Sequence, residues 1–154
     1  YDITTTGEPE GMRPHIWDAL KYESANYMKH LKSFILSEGK EYQSLVPTRN
    51  DIFPNKAQNS PEKGLDGWAY MLTNSERKIA FLYFENESEV PELKNFKKNA
   101  EYQFQWFNTI TGEWKENITI KTDKNGNLVL PNFPDNSKKS NIDWAAKLKF
   151  KDKK

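Results

Sequence analysis

Cysteine is missing from this sequence of 154 residues, which rules out a disulfide framework and a thiolate metal site. Histidine is scarce: His15 and His30 alone do not make a convincing zinc centre. No stretch approaches the roughly 20 apolar residues a membrane span needs, and no signal peptide is visible. Charge of one sign is lacking too. Lys and Arg total 23 against 22 for Asp and Glu, a formal charge of +1, so no broad field draws in nucleic acid or an anionic membrane. No cofactor is expected. The chain begins with Tyr rather than Met, and so reads as a processed or excised piece of something longer, any export signal lost with the missing part.

What is present is aromatic. Phe, Trp and Tyr make up 14% of a chain whose mean hydropathy is −0.93, so the core must be built from a few large side chains among many polar ones. That balance suits a single β-rich domain with a wet surface.

The first dozen residues, YDITTTGEPEGM, are polar and aperiodic and read as a loop. Pro14 then suits the first turn of a helix. Ile16, Leu20, Tyr27, Leu31 and Phe34 recur at helical spacing, with Met28 and Ile35 widening the stripe, up to a stop at Gly39. A break near Lys21 to Glu23 would start a second helical piece capped by Ser24. From Glu41 to Leu65 a Pro- and Asn-containing connector offers only Leu45, Val46, Ile52 and Phe53 for burial.

After Gly67 the period changes to two. Trp68, Tyr70 and Leu72 form one side of a strand and Ile79, Phe81 and Tyr83 one side of the next, with TNSER as their turn. Val90, Leu93 and Phe96 anchor a crossing loop. Tyr102, Phe104 and Trp106 alternate with Gln103 and Gln105, followed by strands at Ile118 and Ile120, at Leu128 and Leu130 after an Asn125-Gly126 turn, and at Trp144, Leu148 and Phe150. Strands at this spacing without intervening helices predict a mainly β fold, an antiparallel β-sandwich preceded by an N-terminal helical segment. In the tail KLKFKDKK five of eight residues are Lys, but Leu148 and Phe150 alternate with them, which favours a strand with one solvated face over a phosphate-binding patch.

Residues 106 to 114, WFNTITGEW, are first of all a turn: Gly112 supplies the positive φ of a short hairpin loop, and Trp106 continues the inward face of its strand. Stacking on a sugar ring needs an exposed aromatic face, which leaves Trp68, Trp114 and Trp144 as the candidates for substrate binding. Asn86-Glu-Ser88 and Asn117-Ile-Thr119 fit the glycosylation pattern. Asp123, Asn125, Gly126 and Asp135 offer oxygens to calcium, although turn chemistry accounts for them without a metal.

YMLTNSERKIAFLYFENESEV followed by YQFQWFNTITGEW resembles the C-terminal β-sandwich domain, labelled collagen-binding, that follows the catalytic barrel in apiosidase-like glycoside hydrolases. Trp106, Phe107, Asn108, Thr111 and Gly112 match that family's Trp-Phe-(Asn/Asp)-x-x-Thr-Gly signature. Upstream, IWDALKYESANYMKHLKSFILSEGKEYQSLVP is similar to the last helical region of such a barrel and its link to the sandwich, through Trp17, Ala19, Leu20, Ala25, Met28, Leu45, Val46 and Pro47. The family commonly has Pro-Gly where this chain has Glu23 and Ser24. Collagen binding is not carried over as an activity.

The resemblance implies the C-terminal, non-catalytic portion of a polysaccharide-degrading glycoside hydrolase, secreted or periplasmic in a bacterium. Residues 1–46 would complete the barrel, 47–66 connect, and 67–154 form the sandwich. Its partners would be the catalytic barrel of the same protein or of a companion chain, and a polysaccharide or oligosaccharide. Glycosidases need two carboxyl groups about 5 to 9.5 Å apart. Only Glu8 and Glu10 sit in a loop that the resemblance places near a barrel's active face, and they are weak catalytic candidates. Two rival classes stand beside the brace: an independent carbohydrate-binding module using exposed Trp residues, and an enzyme in its own right using Glu8, Glu10, His15 or Asp18.

Overall fold

The computed structural model describes residues 21–55 and 67–152. Helix α1 runs Glu23–Ile35, and a 3-10 turn, Leu36–Glu38, carries it to Gly39, whose φ of 62° ends it where the sequence predicts. Tyr22 occupies the N-cap without a side-chain hydrogen bond, so Ser24 belongs to the first turn and is not the cap. The remaining elements are strands: β1 Val46–Pro47, β2 Ile52–Phe53, β3 Ala69–Thr73, β4 Ile79–Phe84, β5 Glu92–Leu93, β6 Glu101–Asn108, β7 Ile118–Lys121, β8 Leu128–Val129 and β9 Trp144–Phe150.

All the strand pairs are antiparallel. A six-stranded sheet has the order β1-β3-β4-β9-β6-β7 and a three-stranded sheet the order β2-β5-β8. Ile52, Leu93 and Leu128 of the small sheet join Met71, Leu82, Phe84, Tyr102, Phe104, Trp106 and Leu148 of the large one in a single core, so the two sheets face each other. The chain is therefore mostly β, with one short helix ahead of the strands. Tyr102, Phe104 and Trp106 point into that core as their alternation predicts. Among the described residues no helix is long and apolar enough to cross a membrane.

Tyr70 and Leu72 do share a face, but it lies outside the sandwich, and Ala69, Met71 and Thr73 turn inward instead. The same outer side carries Ile79, Phe81 and Tyr83, while Ala80, Leu82 and Phe84 fill the core. Central strand β4 is apolar on both faces, so its period alone does not say which face is the core. In the connector Ile52 is buried as expected. Val46 and Phe53 are exposed: β1 is exposed at both its residues, and Phe53 takes the outward position of β2.

Thr48 donates its N–H to Met71 O at 3.0 Å and Lys94 donates to Asp51 O at 2.8 Å, which holds the connector on the sandwich. The buried Asp51 carboxylate pairs with Arg77 at 2.6 Å and accepts Asn95 Nδ2 at 2.6 Å, tying the connector, the β3–β4 turn and the loop after β5 together. Asp123 accepts the N–H groups of Asn125 and Asn127, each at 2.8 Å, and Asp135 accepts that of Ser137 at 3.0 Å. The carboxylates proposed for calcium thus serve local turns.

Phe84, fully buried with its ring 5.2 Å from Trp106 and 5.6 Å from Phe133, tests the core directly. Phe84→Ala is expected to cost about 3–5 kcal/mol, read as a lower urea midpoint with an unchanged slope.

Candidate functional site

The outer face of the large sheet is where structure and chemistry meet. Across β3, β4, β9 and β6 the paired residues Tyr70, Tyr83, Ala145 and Phe107 make one row on it. Phe107 lies beside Trp114, to which it is bridged, with ring centroids 4.8 Å apart. Phe34 of α1 lands on this surface, its ring 4.9 Å from Phe81, 5.3 Å from Phe107 and 5.6 Å from Trp114. These residues, with Ile79 and Ala145, form a second core separate from that of the sandwich.

Two polar contacts lock the helix there. At its C-terminal end Glu38 pairs with Lys147 at 2.7 Å and Lys149 at 2.6 Å, and Lys147 Nζ also sits 4.5 Å from the Trp114 ring centroid. Burial pushes the Glu38 carboxyl up, but the hydrogen bonds and charges of both lysines outweigh it and hold the group below its ordinary value. The tail lysines on β9 are thus partly a helix clamp, and their face of the strand is not simply solvated.

Toward the other end, His30 Nδ1 lies 3.2 Å from Thr109 O. The WFNTITGEW turn is shaped to receive it. Asn108 Oδ1 accepts the N–H groups of Ile110 and Thr111 at 2.9 and 3.0 Å, and Gly112 N–H bonds Asn108 O at 2.9 Å. Gly112 has φ of 73°, and a Cβ there would lie 2.5 Å from His30 Cδ2. Glycine is required twice over, by the backbone and by the helix.

Beside α1 the β3–β4 half of the outer face is bare among the described residues. It forms an open groove of about 830 Å³, with Tyr27, Met28 and Leu31 on the helix side and Tyr70, Leu72 and Tyr83 on the sheet side. Of the apolar stripe, Phe34 packs on protein, but Tyr27 and Leu31 remain 42% and 48% exposed. Ile16 and Leu20 lie outside the described residues. At one end of the groove Asp143 accepts the Tyr83 hydroxyl at 2.5 Å and Asn86 N–H at 2.7 Å. Burial, then the Asp143 hydrogen bond and charge, push the Tyr83 phenol well above its ordinary range.

The sequence-predicted site residues scatter. Trp144 is 5% exposed inside the sandwich core, so it offers no stacking face and is corrected from candidate platform to core. Trp114 is partly buried under Phe34 and Lys147. Trp68 stands apart on the far side of β3, stacked on Tyr70 with centroids 6.4 Å apart and with the Arg49 guanidinium 5.2 Å from its ring. No common platform results. Glu8, Glu10, His15 and Asp18 lie outside the described residues. Sequence reasoning missed Glu38, His30 and Arg49 as contact residues. Only Glu38 left a trace, a carboxylate just before the helix-ending Gly39.

No protein-family model matches the sequence, and no curated protein does. Solved structures do match in fold. One, a glycoside hydrolase, aligns over 98% of this chain and 31% of its own, with 20% identity and a TM-score of 0.66. Another, a family 5 glycoside hydrolase from Bacteroides vulgatus ATCC 8482, aligns over 86% of this chain and 26% of its own, with 18% identity and a TM-score of 0.56. The chain therefore has the fold of a part of glycoside hydrolase chains, and spans less than a third of the length of either.

Two outcomes follow from the helix clamp. Gly112→Val, strained at positive φ and driven into His30, is expected to lower the thermal midpoint and to speed amide exchange in α1; an unchanged midpoint would sink the turn assignment. Because the folded Glu38 is more acidic than its ordinary 4.5, its contribution is fully present above that pH and is lost as pH falls through the lowered value. Glu38→Gln should flatten the acid limb of a stability-versus-pH curve.

Proposed function

We propose that this chain is the C-terminal, non-catalytic portion of a polysaccharide-degrading glycoside hydrolase, and that it braces the catalytic barrel. In this reading residues 1–46 belong with the barrel, 47–66 are the link and 67–154 are the sandwich. The observation that carries it is the groove of about 830 Å³ beside α1, an apolar surface that the described residues leave open next to a helix already fixed to the sheet. Fully covering side chains such as Leu31, Leu72 and Met28 gains about 1.5 to 3 kcal/mol each, and a contiguous apolar surface of this kind marks a contact with another body.

The solved neighbours support the reading, since each has more than two thirds of its length outside the aligned part. A glycosidic general acid needs a carboxyl held above its ordinary range. Among the described carboxylates with a shifted pKa, Glu38, Glu76 and Asp123 are held below it, by lysines or by backbone N–H groups, and so are not general-acid candidates. An independent carbohydrate-binding module built on a row of Trp faces has less support, with Trp144 in the core and Trp114 beneath the helix.

The paired substitution Leu31→Glu and Leu72→Glu tests the brace. Both side chains are exposed in this chain, so its own melting should change by less than about 0.5 kcal/mol per site. In the full-length enzyme the same pair should lower the melting temperature of the catalytic part and abolish co-purification of separately expressed halves. Unchanged melting and intact co-purification would refute the docking face.

A further inference from the structure

Across the ridge of Tyr70 and Leu72 from the groove lies a second cleft, of about 460 Å³, lined also by Pro47, Arg49, Asn55 and Trp68. Its cation is Arg49. Arg49 opens the 3-10 turn Arg49–Asp51, and its exposed guanidinium lies 5.2 Å from the Trp68 ring centroid. Neither Asp51 nor Glu85 forms an ion pair with it, although Glu85, bonded only to neutral donors, keeps its charge. Asp51 is held by Arg77 and Asn95, while Glu85 accepts the Tyr70 hydroxyl at 3.0 Å and Trp68 N–H at 3.2 Å. Among the described residues Arg49 has no carboxylate partner.

A guanidinium placed against an aromatic face is oriented in advance, and its fork of N–H donors matches a carboxylate in two parallel hydrogen bonds. The walls narrow the choice of ligand. Tyr70 stacks on Trp68 at 23°, and the Asn55 carbonyl accepts Ala69 N–H at 3.0 Å, which seats that residue on the cleft wall. A cleft of this size with aromatic walls, one amide and one fixed cation fits a ring that bears a carboxylate. A carboxylate on a flexible peptide side chain would use the guanidinium and leave the aromatic walls empty.

We propose that the Arg49–Trp68 cleft binds an acidic sugar unit of a polysaccharide, with Arg49 gripping the uronate carboxylate and Tyr70 walling the pyranose ring. The binding stands apart from the brace. Only its location beside a docked barrel rests on that reading, because Tyr70 and Leu72 line both the groove and this cleft.

The test is titration of this chain, followed by heteronuclear NMR, with trigalacturonate, with the neutral trisaccharide galactotriose and with a triaspartate peptide. Trigalacturonate is expected to bind near the millimolar level, to weaken as salt is raised, and to shift the Trp68 indole resonance. Arg49→Ala should weaken it about tenfold or more, and Arg49→Lys, which keeps the charge but loses the fork, should fall between. Melting of both variants should match the parent chain, since the side chain is exposed. Equal binding of galactotriose, indifference to Arg49→Ala, or no trigalacturonate binding at about 10 mM would each overturn the site. Binding of triaspartate as tightly as trigalacturonate would overturn it in favour of a protein carboxylate.

Discussion

The structure depends on one constraint: the centre of the six-stranded sheet, around β4 and the end of β6, is apolar on both faces. β4 places Ala80, Leu82 and Phe84 in the sandwich and Ile79 and Phe81 on the opposite side, all of them buried. β6 does the same at its end, with Trp106 inward and Phe107 outward. The small sheet covers one face only. The other must find a cover of its own, and α1 supplies half of it through Phe34. The proposed docking groove and the Arg49 cleft lie around the half that, among the described residues, α1 leaves open.

Much of this was legible before any coordinates. The alternation of Tyr102, Phe104 and Trp106, the Asn125-Gly126 turn, the helix stop at Gly39 and the positive φ at Gly112 follow from local rules with few competitors. The face on which the first hairpin turns inward was not. Tyr70 and Phe81 face outward although they are larger than the inward Ala69 and Ala80, so side-chain size does not identify the inward side of this hairpin. Size identifies the core only where a sheet has one solvated face. Ser24 misled for a similar reason: its residue type suits a cap, but the helix begins one residue before it.

The candidate site was less legible than the fold, because exposure is a property of contacts distant in sequence. Trp114 and Trp144 carry the same side chain, and only pairing decides that one lies under a helix and the other between sheets. Arg49 gave no sign at all. Whether it is paired depends on Asp51 being taken by Arg77, 26 positions further on, and on Glu85 being taken by Tyr70. A cation without a carboxylate pair among the described residues is recognised by subtraction, and subtraction needs contacts distant in sequence.

The WFNTITGEW stretch shows how far an aromatic motif can be from a sugar site. Trp106 belongs to the sandwich core, Phe107 and Trp114 to the helix seat, Asn108 to the loop backbone and Gly112 to the space that His30 occupies. Of the signature residues, Phe107 and Gly112 meet α1 directly, through Phe34 and His30. The seat of α1 matters beyond the helix, because the groove exists only while α1 forms its wall, and Tyr70 and Leu72 are at once the far side of that groove and the near side of the Arg49 cleft. A body seated against the helix would therefore press on the same two side chains that border the proposed sugar unit, while the turn at Gly112 acts on the groove alone, through the wall that α1 forms.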